Sequence, residues 1–300
     1  MKTSARKTHT LTATVALVLL AGGTAAAQQP DNAEAQAAYA DMKKTLGLVP
    51  TFMKSFPPEA IAAAWDEFKG LQLNPNSALP GKYKELMGLA VAAQVPCRYC
   101  IYFHTEAAKL NGADTREVKE AVVMASMVRK WSTVLNGQQT DEAAFRQGMD
   151  SIFAYAAKPH ATKPVAVTDA ASAYRDIEQT LGTVPPMFKL YPPAGIAGAW
   201  REFKTMQLGS NTAIPVKHKE LIGLAVAAQI PCRYCIYFHT QAAKANGASE
   251  REIQETLAIA ASVRHWSTFL NGSQTSEATF RKEVDQIVAN VRKRSQTASR

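Results

Sequence analysis

Two thiols, an imidazole and a carboxylate stand at fixed spacing in a segment that the chain contains twice. The first copy holds Glu85, the C-x-x-C pair Cys97 and Cys100, and then His104. The second copy repeats them 135 positions further on, as Glu220, Cys232, Cys235 and His239. All four cysteines of the 300-residue chain belong to these two segments. Such a set of side chains is typical of thiol redox chemistry.

The spacing predicts how these side chains meet. On one helix Cys97, Cys100 and His104 would stand at i, i+3 and i+7 and share a face. The two sulfurs would then be one turn apart, close enough to form a disulfide. An antiparallel return of the chain at Pro96 would bring Glu85, on the preceding helix, against His104 and fix the tautomer of its ring. This is the arrangement of an activated thiol, its base and the group that orients the base.

The residues alone leave open which thiol attacks. A helix N-terminus stabilises a thiolate, which favours Cys97. The spacing to His104 favours Cys100 instead. The sequence pattern supports both assignments.

The rest of the chain predicts an all-α protein. Apolar residues at helical spacing, bounded by proline, glycine and asparagine, predict six helices in the first copy. Their ranges are 33–46, 59–73, 80–94, 97–110, 115–135 and 140–157. No segment shows the period-2 alternation of a half-buried strand.

The internal repeat sets the domain organisation. We predict one domain at 33–157, a Lys- and Pro-rich linker at 158–168, a second domain at 169–291 and a solvated, frayed basic tail at 292–300. The copies agree at 27 of 33 positions between 80 and 112, but at only 13 of 25 between 113 and 137. They therefore agree most where the candidate chemistry lies. Each unit is expected to bury an apolar face against the other, so that the fused pair mimics a dimer.

Residues 1–27 read as a secretory signal peptide. A basic start, a short apolar run at 11–21 and Ala25-Ala26-Ala27 fit its three regions. A retained anchor is less supported, because the run is about half of the roughly 20 residues that a span needs. We therefore expect a periplasmic or secreted protein without a membrane segment after cleavage. Cleavage would remove three basic and no acidic residues, lowering the formal charge from +9 to +6. No basic stripe indicates nucleic acid.

The motif Glu-x11-Cys-x2-Cys-x3-His in an all-helical unit resembles the alkylhydroperoxidase D (AhpD)-like core of the carboxymuconolactone decarboxylase superfamily. The resemblance covers the central part of each repeat and implies two such domains in tandem. It implies thiol-dependent reduction of hydroperoxides, a peroxiredoxin-type activity, with an external thiol as electron donor and without cofactor or metal. Members commonly form trimers or hexamers of single domains, so a homo-oligomer is expected.

The resemblance also implies roles for the residues. Cys100 and Cys235 would attack the peroxide, and Cys97 and Cys232 would resolve the intermediate. The pairs Glu85 with His104 and Glu220 with His239 would relay protons. The best-known member has a histidine just before the second cysteine, where this chain has Tyr99 and Tyr234. True decarboxylases of the family lack the cysteine pair, which argues against lactone decarboxylation.

Other interpretations stand beside this one. The protein could instead be an exported thiol–disulfide exchange protein, or a binding or assembly module with inert thiols. A structural disulfide suits an exported protein, but its short loop stabilises less than the roughly 3 kcal/mol of a 15-residue loop. Zinc could take two cysteines, a histidine and a glutamate, although structural sites rarely draw three ligands from one helix face. Glu85 and Glu220 could be solvated, since Lys82, Lys84, Lys217 and Lys219 flank them.

Overall fold

The computed structural model describes residues 32–161 and 163–298. This part of the chain forms fourteen α-helices and one π-helix and contains no β-strand. The all-α prediction is therefore confirmed for the described residues. The signal peptide predicted at 1–27 lies outside them, as do residues 299–300 of the tail.

Each repeat contains seven α-helices in the same order. Those of the first repeat are α1 Ala33–Leu46, α2 Thr51–Lys54, α3 Ile61–Leu71, α4 Gly81–Gln94, α5 Arg98–Leu110, α6 Thr115–Gly137 and α7 Glu142–Ala156. Those of the second are α8 Ala170–Leu181, α9 Pro186–Lys189, α10 Pro193–Glu202, α11 Val216–Gln229, α12 Arg233–Ala245, α13 Glu250–Gly272 and α14 Glu277–Ala298. The π-helix Phe203–Leu208 continues α10. The sequence pattern predicted neither this π-helix nor the single-turn helices α2 and α9.

Local capping explains why α1 begins and ends, and why α6 begins, where predicted. The Asn32 side chain accepts a hydrogen bond from the Ala35 backbone and opens α1. Gly47 closes α1 in the left-handed conformation, with φ of 88°, which glycine adopts without steric cost. Asp114 and Glu117 form a reciprocal capping box at the start of α6.

The core lies between the two repeats. Residues 84–92 of α4 and 218–227 of α11 are buried on every side, as expected of helices at the centre of a bundle. Helix α4 packs on α5 and α6 of its own repeat and also on α11 and α13 of the other. Helix α11 packs in the equivalent way on α12, α13, α4 and α6. The two repeats therefore share one continuous core.

A pseudo-twofold axis relates the repeats. Tyr83 and His218 occupy equivalent positions, and their rings stack with centroids 3.5 Å apart and an interplanar angle of 11°. Residues that contact their own counterparts lie at a twofold axis. The fused pair therefore has the geometry of a dimer within one chain, as the sequence predicted.

The last helix of each repeat covers the cysteine-bearing helix of the other. Helix α14 packs on α5, and α7 packs on α12. The Tyr99 hydroxyl donates to the backbone carbonyl of Thr275 at 2.6 Å. The Tyr234 hydroxyl donates equivalently to the carbonyl of Thr140. Tyr99 and Tyr234 thus link the two repeats.

Two carboxylates add a second set of links between the repeats. Glu255 on α13 accepts hydrogen bonds from the backbone nitrogens of Ala78 at 2.8 Å and Leu79 at 2.9 Å, just before α4. Glu120 on α6 accepts equivalent bonds from the backbone before α11. Each central helix is therefore anchored at its start by the other repeat.

The C-terminal tail differs from the prediction. Residues 292–298 continue α14 instead of fraying. The Arg294 guanidinium donates to the backbone carbonyls of Lys44 at 2.6 Å and Thr45 at 3.0 Å, because these groups are left free at the end of α1. The described residues of the linker, 158–161 and 163–168, contain no helix. Within residues 32–161 and 163–298, no helix combines the length and apolar character of a bilayer span.

Candidate thiol active sites

The two cysteines of each motif are joined in a disulfide. Cys97 is bonded to Cys100, with Cα atoms 5.3 Å apart, and Cys232 is bonded likewise to Cys235. Cys97 was predicted as the first helical residue, but it lies just before α5 as its N-cap. Its Sγ accepts a hydrogen bond from the Cys100 backbone nitrogen at 3.2 Å. Both cysteines of each pair thus stand at a helix N-terminus, which stabilises a thiolate in the reduced form.

The predicted contact between Glu85 and His104 is present. Helices α4 and α5 pack antiparallel across the turn at Pro96, and the His104 Nδ1 lies 2.7 Å from the Glu85 Oε2. The equivalent distance between His239 and Glu220 is 2.8 Å. Both side chains of each pair are buried. The alternative that these glutamates are solvated is therefore wrong.

The tautomer of the histidine follows from the charge state of its carboxylate partner. An ionised carboxylate only accepts hydrogen bonds, so the His104 Nδ1 carries the hydrogen and donates to Glu85. The Nε2 nitrogen is then the basic atom of the neutral ring. It can take a proton from a thiol and return it to a leaving group.

A glutamine outside the predicted site residues completes the chain of contacts. The Gln72 Nε2 donates to the other oxygen of Glu85 at 2.7 Å, and the Gln207 Nε2 donates to Glu220 at 2.6 Å. Both glutamines are buried. The glutamate is thus held from two sides, which restricts how it can turn toward the histidine. The available signal was the repetition of this glutamine 135 positions apart, outside the cysteine segment.

A buried lysine fixes the segment that carries this glutamine. The Lys84 Nζ donates to the backbone carbonyls of Leu71 at 3.0 Å and Asn74 at 2.8 Å, on either side of Gln72. Burial lowers the pKa of Lys84, while the neighbouring Glu85 acts in the opposite direction. Lys219 makes the equivalent contacts in the second repeat. The amines of both lysines thus bind backbone carbonyls, and their role is structural.

A glycine makes room for the histidine ring. Gly88 lies one turn after Glu85 on α4, and a Cβ atom at this position would overlap the ring of His104. Gly223 faces His239 in the same way. The close packing of α4 on α5 that brings Glu85 to His104 thus depends on the missing side chain.

Each site opens into an apolar cavity built from both repeats. The first cavity is lined by Gln72, Cys100, Phe103 and His104, and by the side chains Ser262, Val263, Trp266, Leu270 and Phe280 of the second repeat. Of the two cysteines in this site, Cys100 lines the cavity and Cys97 does not. The same holds for Cys235 and Cys232 in the second cavity. The second cysteine of each pair is thus the one that a bound molecule would meet.

The described residues contain no cluster of three or more histidine, cysteine, aspartate and glutamate side chains placed to hold a metal ion. In each site the two sulfurs are bonded to one another. The carboxylate is occupied by the histidine and the glutamine.

The fold and the sites define an all-α protein with two copies of a buried cysteine–histidine–glutamate centre. Residues 59–137 and 195–275 match the carboxymuconolactone decarboxylase family and together cover just over half of the chain. The chain therefore belongs to this family, whose members include decarboxylases and alkylhydroperoxidase-like enzymes.

The comparison with solved structures supports the fold. A crystal structure of a "putative gamma-carboxymuconolactone decarboxylase subunit" from Burkholderia xenovorans LB400 superposes with a TM-score of 0.52 and 16% sequence identity. The match covers 88% of this chain and 99% of the other. At this identity the likeness shows a shared fold alone. No curated protein matches the chain.

Proposed function

We propose that this protein is a thiol-dependent hydroperoxide reductase with one active centre in each repeat. The observation that carries the proposal is the arrangement at the second cysteine of each pair. Cys100 faces a cavity together with His104, whose ring is oriented by Glu85. A reactive thiol, its base and the group that orients the base are thereby placed in a partly desolvated pocket.

The first step oxidises Cys100. The Nε2 of His104 takes the thiol proton, and the Cys100 thiolate attacks the distal oxygen of the hydroperoxide. The sulfur–oxygen bond forms as the oxygen–oxygen bond breaks, and the leaving alkoxide takes the proton from His104 to give an alcohol. Cys100 is left as a sulfenic acid.

The second step forms the disulfide that the structure contains. The sulfur of Cys97 attacks the Cys100 sulfenic acid, the sulfur–oxygen bond breaks, and the hydroxide leaves as water with the proton from Cys97. The two thiols have then supplied both electrons that reduce the peroxide. An external dithiol restores them by exchange and becomes a disulfide itself. The same steps apply to Cys235 and Cys232.

The burial of the sulfurs favours a small substrate over a protein disulfide. Cys97 and Cys232 have no exposed surface, and Cys100 and Cys235 are 5% exposed. Exchange with a folded protein requires its disulfide to reach the attacking sulfur in line. A hydroperoxide can enter the cavities, whereas the backbone around a protein disulfide cannot. This supports peroxide reduction over disulfide exchange between proteins.

The test is a single turnover of the reduced full-length protein. One equivalent of peroxide per site should form the Cys97–Cys100 and Cys232–Cys235 bridges, detected by alkylation and mass spectrometry. Replacing both second cysteines (Cys100→Ser with Cys235→Ser) should abolish peroxide consumption. Replacing both first cysteines (Cys97→Ser with Cys232→Ser) should instead leave a sulfenic acid that dimedone traps. Peroxide consumption that survives the first pair of substitutions would refute the assignment.

A further inference from the structure

The two centres differ in the space beside the reactive cysteine. The cavity next to Cys235 has a volume of about 270 Å³, whereas the one next to Cys100 has about 50 Å³. The catalytic side chains are the same in both repeats. The difference therefore comes from the residues around them.

A polar clamp is present beside the first cavity only, next to the lining residue Phe52. The Thr51 backbone nitrogen donates to the two carboxylate oxygens of Glu283 at 3.1 and 3.0 Å, and its hydroxyl donates at 2.5 Å. These bonds tie α2 to α14. The equivalent residues in the second site are Pro186, which has no N–H, and Gly148, which has no side chain. The clamp cannot form there.

An apolar groove of about 340 Å³ lies where the clamp is missing. Gly148 and Pro186 line it, and it shares Phe145, Met149 and Met187 with the cavity beside Cys235. The larger cavity thus adjoins a groove between α7 and α9. Helix α14 also holds α1 through Arg294, whereas α7 ends at Ala156.

The side chains that line the cavities also make the first cavity smaller than the second. The ring of Phe52 packs 5.7 Å from that of Trp266 and 5.4 Å from that of Phe280, inside the first cavity. Its counterpart in the second site is the narrower Met187. Ala245 lines the second cavity at the position that Leu110 occupies in the first repeat.

The second cavity is also lined by a residue whose hydrogen-bond donor is unused. Trp131 lines it, and the buried indole Nε1 has no protein partner. The other wall residues are mostly aliphatic and aromatic. A ligand with an apolar body and an acceptor oxygen matches this lining.

We propose that the two centres act on different hydroperoxides, an inference that rests on the proposed function. An apolar cavity of about 150 Å³ binds benzene, and one water molecule occupies about 30 Å³. The Cys235 centre therefore admits bulky apolar hydroperoxides, such as those of aryl-substituted alkanes. The Cys100 centre admits a molecule the size of hydrogen peroxide.

Matched thiol reagents test access without relying on peroxidase activity. The full-length protein carrying Cys97→Ser and Cys232→Ser is reduced and treated with methyl or benzyl methanethiosulfonate. Mass spectrometry gives the labelling rate at each remaining cysteine. The benzyl-to-methyl rate ratio should be at least about tenfold higher at Cys235 than at Cys100. Equal ratios would overturn the proposal.

Exchange of the clamp residues is the matched variant. Thr51→Pro with Glu283→Gly should raise the benzyl-to-methyl ratio at Cys100, and Pro186→Thr with Gly148→Glu should lower it at Cys235. The methyl rate and the circular dichroism spectrum of each variant report whether the fold is intact. Ratios that do not move in folded variants would contradict the role of the clamp.

Kinetics with one active centre at a time test the substrate assignment. The Cys100→Ser protein works through Cys235, and the Cys235→Ser protein works through Cys100. For each, the ratio of kcat/KM with cumene hydroperoxide to kcat/KM with hydrogen peroxide is measured. This ratio should be at least about tenfold higher in the Cys100→Ser protein. Identical preferences would overturn the inference and leave the proposed function intact. If neither peroxide is consumed while the labelling ratios differ, the proposed function fails and only the difference in access stands.

Discussion

At the residue scale, the proposed chemistry depends on three buried side chains joined by hydrogen bonds. Gln72 donates to Glu85, which accepts from His104, which in turn faces the cavity with Cys100. Hydrogen bonds to a buried ionised carboxylate contribute about 1.5 to 3 kcal/mol each. Gln72 does not touch the substrate in the proposed reaction. It acts by holding the glutamate, so we describe it as a positioning residue.

Removing this glutamine should slow the reaction without unfolding the protein. In the variant with Gln72→Leu and Gln207→Leu, each glutamate loses one of its two partners and orients the histidine less well. We expect the rate of sulfenic acid formation, measured by stopped flow, to fall about tenfold, equivalent to about 1.4 kcal/mol. The rate of disulfide reduction by dithiothreitol should change less. A general loss of structure would instead slow both steps and lower the Tm markedly.

The glycine opposite the histidine is predicted to be equally important. A Cβ atom at Gly88 would overlap the His104 ring, so Gly88→Ala must displace the ring from Glu85 or separate α4 from α5. We expect a destabilisation of about 1 to 3 kcal/mol and loss of activity at the Cys100 centre.

Gly70 provides the matched control, because it is an exposed helical position at which an added Cβ would meet nothing. Gly70→Ala should stabilise the protein by up to about 1 kcal/mol, since alanine is the better helix former. Urea unfolding gives both values. A Gly88→Ala protein as stable and active as Gly70→Ala would show that the ring has room to move.

At the scale of elements, the sequence predicted the long helices well because their ends carry local signals. Asn32 and Asp114 are N-caps and Gly47 is a C-cap, and such residues act on the helix that they bound. The single-turn helices α2 and α9 are too short to show periodicity. The placement of α14 on α5 depends on contacts between residues nearly 180 positions apart, which no local pattern encodes.

The contact of α4 with α11 at the pseudo-twofold axis should make stability depend on pH. Burial lowers the pKa of His218 to about 4, with Lys217 and Lys82 acting in the same direction and Glu252 opposing them. The fourth neighbour is the Tyr83 ring stacked on it. The unfolded chain, with an ordinary pKa of 6.5, takes up a proton between pH 6.5 and 4 that the folded protein does not. Stability therefore falls as the pH falls through this window.

His218→Tyr, which copies the residue at the equivalent position 83, removes this contribution. The free energy of unfolding of the wild type, relative to that of His218→Tyr, should drop by about 2 to 3 kcal/mol between pH 7 and pH 4. Urea titrations at four pH values would measure the difference, and other titrating groups cancel in it. A constant difference across this range would contradict a neutral, buried His218.

At the scale of the whole molecule, the sequence predicted what is the same in the repeats and missed what differs. The contact between Glu85 and His104 followed from spacing on two adjacent helices. The unequal cavities arise from side chains outside the motif that meet only in the folded chain. Glu283 of the second repeat accepts hydrogen bonds from Thr51 beside the first site, across 232 positions of sequence. The sequence of one repeat cannot predict which side chains the other repeat contributes to its site.

The shared core predicts that the two repeats stay together after the linker is cut. Residues 158–161 and 163–168 form no helix, and most of their side chains are exposed, so a protease site placed there should be cleaved without disturbing the core. The fragments should remain one particle of unchanged mass by light scattering, because α4 and α11 bury their surfaces against each other. They should unfold in a single transition in urea.

Truncating both cross-repeat carboxylates, Glu120→Ala with Glu255→Ala, should shift this transition to lower urea by leaving the backbone nitrogens before α4 and α11 unpaired. Glu106→Gln, a change to the residue already present at position 241, should leave the transition in place. Fragments that separate in native buffer would show that each repeat is a domain in its own right.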